Sequence, residues 1–347
     1  MPQTALVSGG SGFVASHLIQ QLLAAGDTVH TTVRSLGAAA KVAPLLELQK
    51  AYPGKLQIFE ADLLKPGSFD AAMKGCDVVY HVASPFLMPE QIKDGRTQML
   101  EPALQGTHNV LASVEATPTV RRVVLTSTVG AIFGDYIDVL QMEGQVLSEK
   151  YFNTTSSVDY NAYHYSKVVA EQEAWRICGL QNRWDMVSIN PGLILGPSLT
   201  PTSESGSLFL LDELLKGYFF YGVPDLGFTT VDVRDVAQAH IAAAKTPKAN
   251  GRYIVAEKTM ISFIDMARIL RKVHKKPYLL PRFQAPTWLI RPIAPLFGLT
   301  PIYIKNHFGI RFAVDNQRSL GDLGLRYRPI AETLIDHYRS WAARQAK

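Results

Sequence analysis

Short apolar runs punctuate the first two hundred residues. Thr4–Val7, Asp27–Val33, Leu56–Glu60, Val78–Val82, Arg122–Thr126 and Met186–Ile189 read as six strands, several of them rich in β-branched residues. Between them the polar and apolar positions take a helical rhythm over Phe13–Ala25, Phe69–Lys74, Gln98–Ala116 and Ala162–Cys178. Strands alternating with helices form βαβ units, so the expected fold is α/β, a doubly wound parallel sheet with right-handed crossovers. Beyond Pro191 the pattern loosens, and proline, glycine and aromatic residues become frequent. The segments 228–233 and 252–255 read as further strands, and Ser262 is placed to cap a helix running through Lys272. A smaller mixed C-terminal lobe is expected there.

Two stretches imitate membrane segments. Residues 1–26 carry no Asp, Glu, Lys or Arg, but the Ser8-Gly9-Gly10-Ser11-Gly12 turn and Gln20-Gln21 interrupt them, and no basic n-region precedes the apolar part. Residues 286–304 are apolar but divided by Arg291, Pro292, Pro295 and Pro301. No transmembrane segment is expected. The 47% apolar and 19% charged composition supports a sizeable core. With two cysteines, Cys76 and Cys178, neither a disulfide framework nor a cysteine-based zinc site is expected, and a cytoplasmic setting fits. The net charge of +5 suits anionic ligands without naming one.

The first chemical signal is Gly9-Gly10-Ser11-Gly12-Phe13-Val14, between the first strand and its helix. Glycines let the chain turn tightly and let a pyrophosphate approach the amides of a helix N-terminus, where the dipole favours an anion. The fold expectation becomes a Rossmann-type sheet holding a dinucleotide. At the end of the second strand a carboxylate would hold the ribose hydroxyls of NAD; Arg34 and Ser35 stand there instead, a fork and a donor for a 2′-phosphate, which selects NADP(H). Asp62 and Leu63 follow the third strand, where Asp62 is either an adenine clasp or a cap. Val82, Ala83 and Ser84 end the fourth strand with side chains small enough for a dinucleotide to lie against the backbone.

The second signal is Tyr163-His164-Tyr165-Ser166-Lys167. Residues four apart share a helix face, so Tyr163 and Lys167 are neighbours. A phenol titrates near ~10, and an adjacent ammonium together with an oxidised nicotinamide is expected to lower that value and make Tyr163 a usable general acid or base. Tyr165 has Val169 four residues on and no such amine, and His164 is expected to face elsewhere. Strand five ends in Thr126-Ser127-Thr128, where one hydroxyl of the alternating pair Ser127 and Thr128 is placed to steady a substrate oxygen.

Together these motifs resemble the extended short-chain dehydrogenase/reductase superfamily, in its dihydroflavonol-reductase, cinnamoyl-CoA-reductase and microbial carbonyl-reductase branch. The resemblance runs from Thr4 to about Gly196 and, more loosely, through Thr229–Ala237. It implies that Tyr163 is the acid/base and Lys167 its partner, holding the nicotinamide ribose. It implies that Pro191 and the Gly192-Leu193-Ile194 backbone meet the nicotinamide, with Thr126 and Ser127 also among the cofactor-binding residues, and that Thr128 occupies the position where the family usually has a catalytic serine. The stretch Tyr160-Asn161-Ala162 departs from the longer signature of the cinnamoyl-CoA branch, which points away from a CoA thioester.

The resulting expectation is an NADPH-dependent reductase of bulky apolar ketones or aldehydes. Residues 1–199, joined by about 228–257, would bind the cofactor. Residues 200–227 and 258–347 would bind substrate, with Phe86 and Tyr221, and also Leu87, Met88, Phe219 and Phe220, as apolar lining. The alternatives are an NAD-retaining nucleotide-sugar epimerase or dehydratase, a hydroxysteroid dehydrogenase, and a non-catalytic NADP(H) sensor. Arg34 opposes the first and the Tyr163/Lys167 pair opposes the last. The basic run Arg268, Arg271, Lys272, Lys275 and Lys276 reads as a solvated helix face, so neither nucleic acid nor a metal is expected as a partner. Oligomeric state, monomer or homodimer, stays open.

Overall fold

A computed structural model describes residues 2–85, 87, 91–200, 205–292, 294–297 and 299–345. The N-terminal half runs β1 (Thr4–Val7), α1 (Phe13–Ala24), β2 (Thr28–Val33), α2 (Ala39–Ala51), β3 (Leu56–Glu60), α3 (Asp70–Met73), β4 (Val78–His81), α4 (Glu101–Ala116), β5 (Arg122–Thr126), α5 (Tyr136–Val139), β6 (Val146–Leu147) and α6 (Ala162–Cys178). It continues with β7 (Asp185–Pro191), β8 (Leu193–Leu195), α7 (Gly206–Lys216), β9 (Gly227–Phe228), β10 (Thr230–Asp232), α8 (Val233–Lys245) and β11 (Gly251–Val255). The remainder is β12 (Ile261–Ser262), α9 (Phe263–Arg271), α10 (Thr287–Ile290), α11 (Pro301–His307), β13 (Ala313–Val314), α12 (Gln317–Gly321) and α13 (Ile330–Gln345).

Seven strands form one parallel sheet in the order β11-β7-β5-β4-β1-β2-β3. This is the Rossmann-type arrangement. The order reverses between β1 and β4, and ligands of such sheets bind outside the carboxyl ends of the strands at that point. The strands are apolar on both faces because both are covered. Val29, Val124 and Ile189 pack with Leu18 and Leu22 of α1 and with Val236 of α8, while Leu6, Val79 and Val123 pack with Val110 and Val114 of α4 and Ala174 of α6.

Several boundaries differ from the sequence reading. The helix expected over 69–74 is the single turn Asp70–Met73, because Gly75 takes φ of +76° and ends it. The helix expected from Gln98 begins at Glu101, after a wider π turn over Arg96–Leu100. The sixth strand extends to Asp185–Pro191. The strand expected over 228–233 divides into β9 and β10. Ser262 caps α9 as read, its Oγ accepting from the Asp265 N–H at 3.1 Å. Partly buried ion pairs fasten α13 and the segment before it to α8 and its N-cap: Arg234 bridges Asp232 and Asp336, and Arg328 pairs with Asp235. None of the described helices is long and apolar enough to cross a membrane.

Candidate active site

A cavity of about 960 Å³ follows the carboxyl edge of the sheet. It begins at the turn after β1. Gly9 adopts φ of +72°, and a Cβ there would come 3.0 Å from that of Ala83, so glycine permits both the turn and the close approach of the two strand ends. Helix α1 starts at Gly12 with no side-chain cap and no acidic residue in its first turn, and Gly9, Ser11, Gly12, Phe13 and Val14 all face the cavity. Backbone donors at an uncapped, acid-free helix start suit a pyrophosphate. Ser8 supports the turn from behind: its Oγ accepts from the Val82 and Ala83 amides at 3.0 and 2.9 Å and lies 3.1 Å from His81 Nδ1. With both lone pairs used, the hydroxyl proton goes to Nδ1.

Arg34 and Ser35, both exposed, stand on the cavity wall beyond β2, and Lys41 of α2 joins them. Asp62 and Leu63 line the same wall. Asp62 Oδ1 accepts from the Leu64 N–H at 2.9 Å, so one of its oxygens closes its own turn. Val82, Ala83, Ser84, Thr126, Ser127, Thr128, Pro191, Gly192, Leu193 and Ile194 complete the lining expected for a dinucleotide. The donor set fits NADP(H): a helix start for the pyrophosphate, and two cations at the ribose end, where Asp62 is the only acid of the lining among the described residues.

Tyr163 and Lys167 lie on α6 and face this cavity together. The expected lowering of the phenol does not arise from the folded chain itself. Burial pushes Tyr163 up to about 12 and the Lys167 ammonium down to about 8, the latter opposed by the charge of Glu171. At neutral pH the pair is therefore phenol and ammonium, which suits proton donation.

The strand-five alternatives separate cleanly. Ser127 Oγ donates to Glu171 Oε2 at 2.5 Å, and Thr126 Oγ1 meets His240 Nε2 at 2.7 Å. Thr128 Oγ1 accepts from the Gly130 amide at 3.2 Å, which leaves its own proton for a ligand. His164 does not face elsewhere, as expected from its sequence position, but lines the cavity. The Gly134 carbonyl and Asn161 hold its Nδ1, and burial lowers the imidazole to about 4. Gly130 makes room for it, since a Cβ there would sit 2.4 Å from the ring.

Tyr221 is not brought to the site: it is exposed against Phe220, outside the cavity lining. Phe86 and Met88 lie outside the described residues. Apolar lining comes instead from Phe133, Tyr136 and Phe228, with Ser205 and Ser207 near the start of α7. Their sequence positions gave no sign of this, because long connections place them there.

Residues 5–256 match the NAD dependent epimerase/dehydratase family. The chain is 34% identical over 341 residues to cinnamoyl-CoA reductase CAD2 of Medicago truncatula, covering 96% of this chain and 94% of that one. It is 34% identical over 327 residues to an anthocyanidin reductase of Vitis vinifera, covering 90% and 92%. The solved structure of the yeast methylglyoxal/isovaleraldehyde reductase Gre2, complexed with NADPH, superposes with a TM-score of 0.79 at 26% identity over 99% of both chains. The chain thus belongs to the NAD dependent epimerase/dehydratase family, the extended short-chain dehydrogenases/reductases, among their reductases.

Proposed function

We propose that this protein is an NADPH-dependent reductase that converts bulky apolar ketones or aldehydes to alcohols. The observation that carries the reading is the meeting, on one cavity, of an uncapped helix start, a cationic ribose end and the Tyr163/Lys167 pair. Bound NADPH supplies the hydride that reaches the carbonyl carbon. Tyr163 donates its phenolic proton to the carbonyl oxygen, giving the alcohol and leaving a phenolate. Lys167 stabilises that phenolate by its charge, and Thr128 donates a hydrogen bond to the oxygen as negative charge develops. Phe133, Tyr136 and Phe228 offer flat apolar walls to a ring-bearing substrate. Three relatives named as reductases, of a cinnamoyl thioester, of an anthocyanidin and of small aldehydes, support carbonyl-type reduction.

The test follows NADPH absorbance with a panel of aryl ketones, aldehydes and one aryl CoA thioester, using wild type and Tyr163→Phe. Wild type is expected to turn over ketones or aldehydes. The variant should lose about 10²–10⁴-fold in kcat while still quenching with NADPH. A fully active variant would reject Tyr163 as proton donor, and turnover of the thioester alone would move the substrate class.

A further inference from the structure

Behind Ser127 lies a buried ion pair that the proposed reaction does not use. Glu171 is one turn along α6 from Lys167, its side chain wholly inaccessible, against Arg252 of β11. Both carboxylate oxygens are occupied. Oε1 accepts from Arg252 Nε at 2.6 Å and Trp175 Nε1 at 3.3 Å. Oε2 accepts from Ser127 Oγ at 2.5 Å, Asn190 Nδ2 at 2.9 Å and Arg252 Nη2 at 3.3 Å. Arg252 is itself held by the carbonyls of Glu149, Tyr151 and Ala131 and lies over the Phe152 ring. A buried pair of this kind is weak support for stability, because desolvation offsets the attraction.

Its surroundings point to the reaction. A second cavity of about 30 Å³, room for roughly one water, is lined by both Lys167 and Glu171, with His81 and Thr107. No hydrogen bond or ion pair to Lys167 Nζ occurs among the described residues, so the carboxylate acts across space rather than by contact. The titratable groups facing Lys167 are Tyr163 and Glu171 on its own helix and His81 on β4; Arg252 lies beyond Glu171. Burial keeps His81 neutral, its imidazole lowered to about 4. Glu171 is the charge that favours the ammonium form against burial.

We propose that Glu171, fixed by Arg252, is a positioning residue whose charge keeps Lys167 an ammonium beside Tyr163. This rests on the reductase reading above. It also assigns separate tasks to the adjacent hydroxyls: Ser127 serves the carboxylate, and Thr128 serves the substrate.

The experiment measures kcat against pH at saturating NADPH for wild type, Glu171→Gln and the charge-balanced Glu171→Gln/Arg252→Met, with melting temperature and NADPH affinity alongside. In Glu171→Gln the alkaline limb should move down by about one pH unit, with rates at the acidic end within about threefold of wild type. The double variant leaves no uncompensated guanidinium, so it should fold even where the single variant does not; losing the more distant positive charge of Arg252 as well, it should show a limb between those of the single variant and wild type. A uniform loss of kcat with an unmoved limb, or a double variant whose limb returns to the wild-type position, would overturn the proposal and leave the pair a fastener. Tyr163→Phe separates the two readings: if it stays fully active, the site assignment fails whatever the Glu171 variants do.

Discussion

At the scale of single residues, the charge state of the site is a contest between burial and neighbouring charge. Tyr163 stays protonated because burial disfavours a phenolate, and burial likewise brings Lys167 close to neutral pH, opposed by the charge of Glu171. In the proposed reduction, the phenol is thus in the form that gives a proton away. In the proposed reading, Arg34 at the other end of the cavity selects the cofactor by meeting its 2′-phosphate. Arg34→Ala should raise KM for NADPH by about tenfold or more, the worth of a charge-assisted phosphate contact, and leave KM for NADH nearly unchanged. Initial rates with both cofactors check this, and equal losses would reject a 2′-phosphate role. The candidate pair, the glycine turn and Arg34 were legible in the sequence because helix spacing and strand ends follow from chain geometry alone. The division between Ser127 and Thr128 was not, because it depends on Glu171 and Gly130, which the fold brings to strand five.

At the scale of elements, the β1–α1 turn tolerates little change. Gly9→Ala places a methyl group at positive φ and against Ala83. It should destabilise the protein by about 1–3 kcal/mol and weaken NADPH binding more than Gly26→Ala does. Gly26 serves as the control because it also has positive φ but meets nothing within 4 Å. Thermal melts with and without NADPH measure the difference. Strands and strongly periodic helices such as α6 were readable because their apolar spacing matches their geometry. Helix α2 was not: it carries Pro44 internally and buries only Val42 and Leu45. The short turn Asp70–Met73 and the π turn before α4 were likewise set by a positive-φ glycine and by packing against α6, not by periodicity.

At the scale of the whole molecule, folding buries histidines far from the chemistry as well as near it. His81, His240 and His337 are each held to about 4 by burial, below the ~6.5 of an unfolded chain. Between those values the unfolded state binds more protons, so folding stability is complete above about pH 6.5 and falls as pH drops toward 4. Melting temperature should be flat from about pH 8 to 7 and decline steeply below about 6, by up to roughly tenfold in the folding constant per pH unit for each histidine. A melting temperature unchanged down to about pH 4.5 would contradict the buried-neutral assignment. The sequence by itself determined the alternation of the main strands and helices, the glycine turn after β1, the placement of Arg34 at the end of β2 and the shared helix face of Tyr163 and Lys167, because each is written in local spacing. Only the tertiary structure decided that Ser127 is engaged by Glu171 while Thr128 keeps its proton for a ligand, that His164, Phe133 and Tyr136 line the cavity while Tyr221 does not, and that Glu171 and Arg252 lie buried behind Ser127. Those outcomes depend on contacts between residues tens to hundreds of positions apart, whose proximity no local pattern encodes.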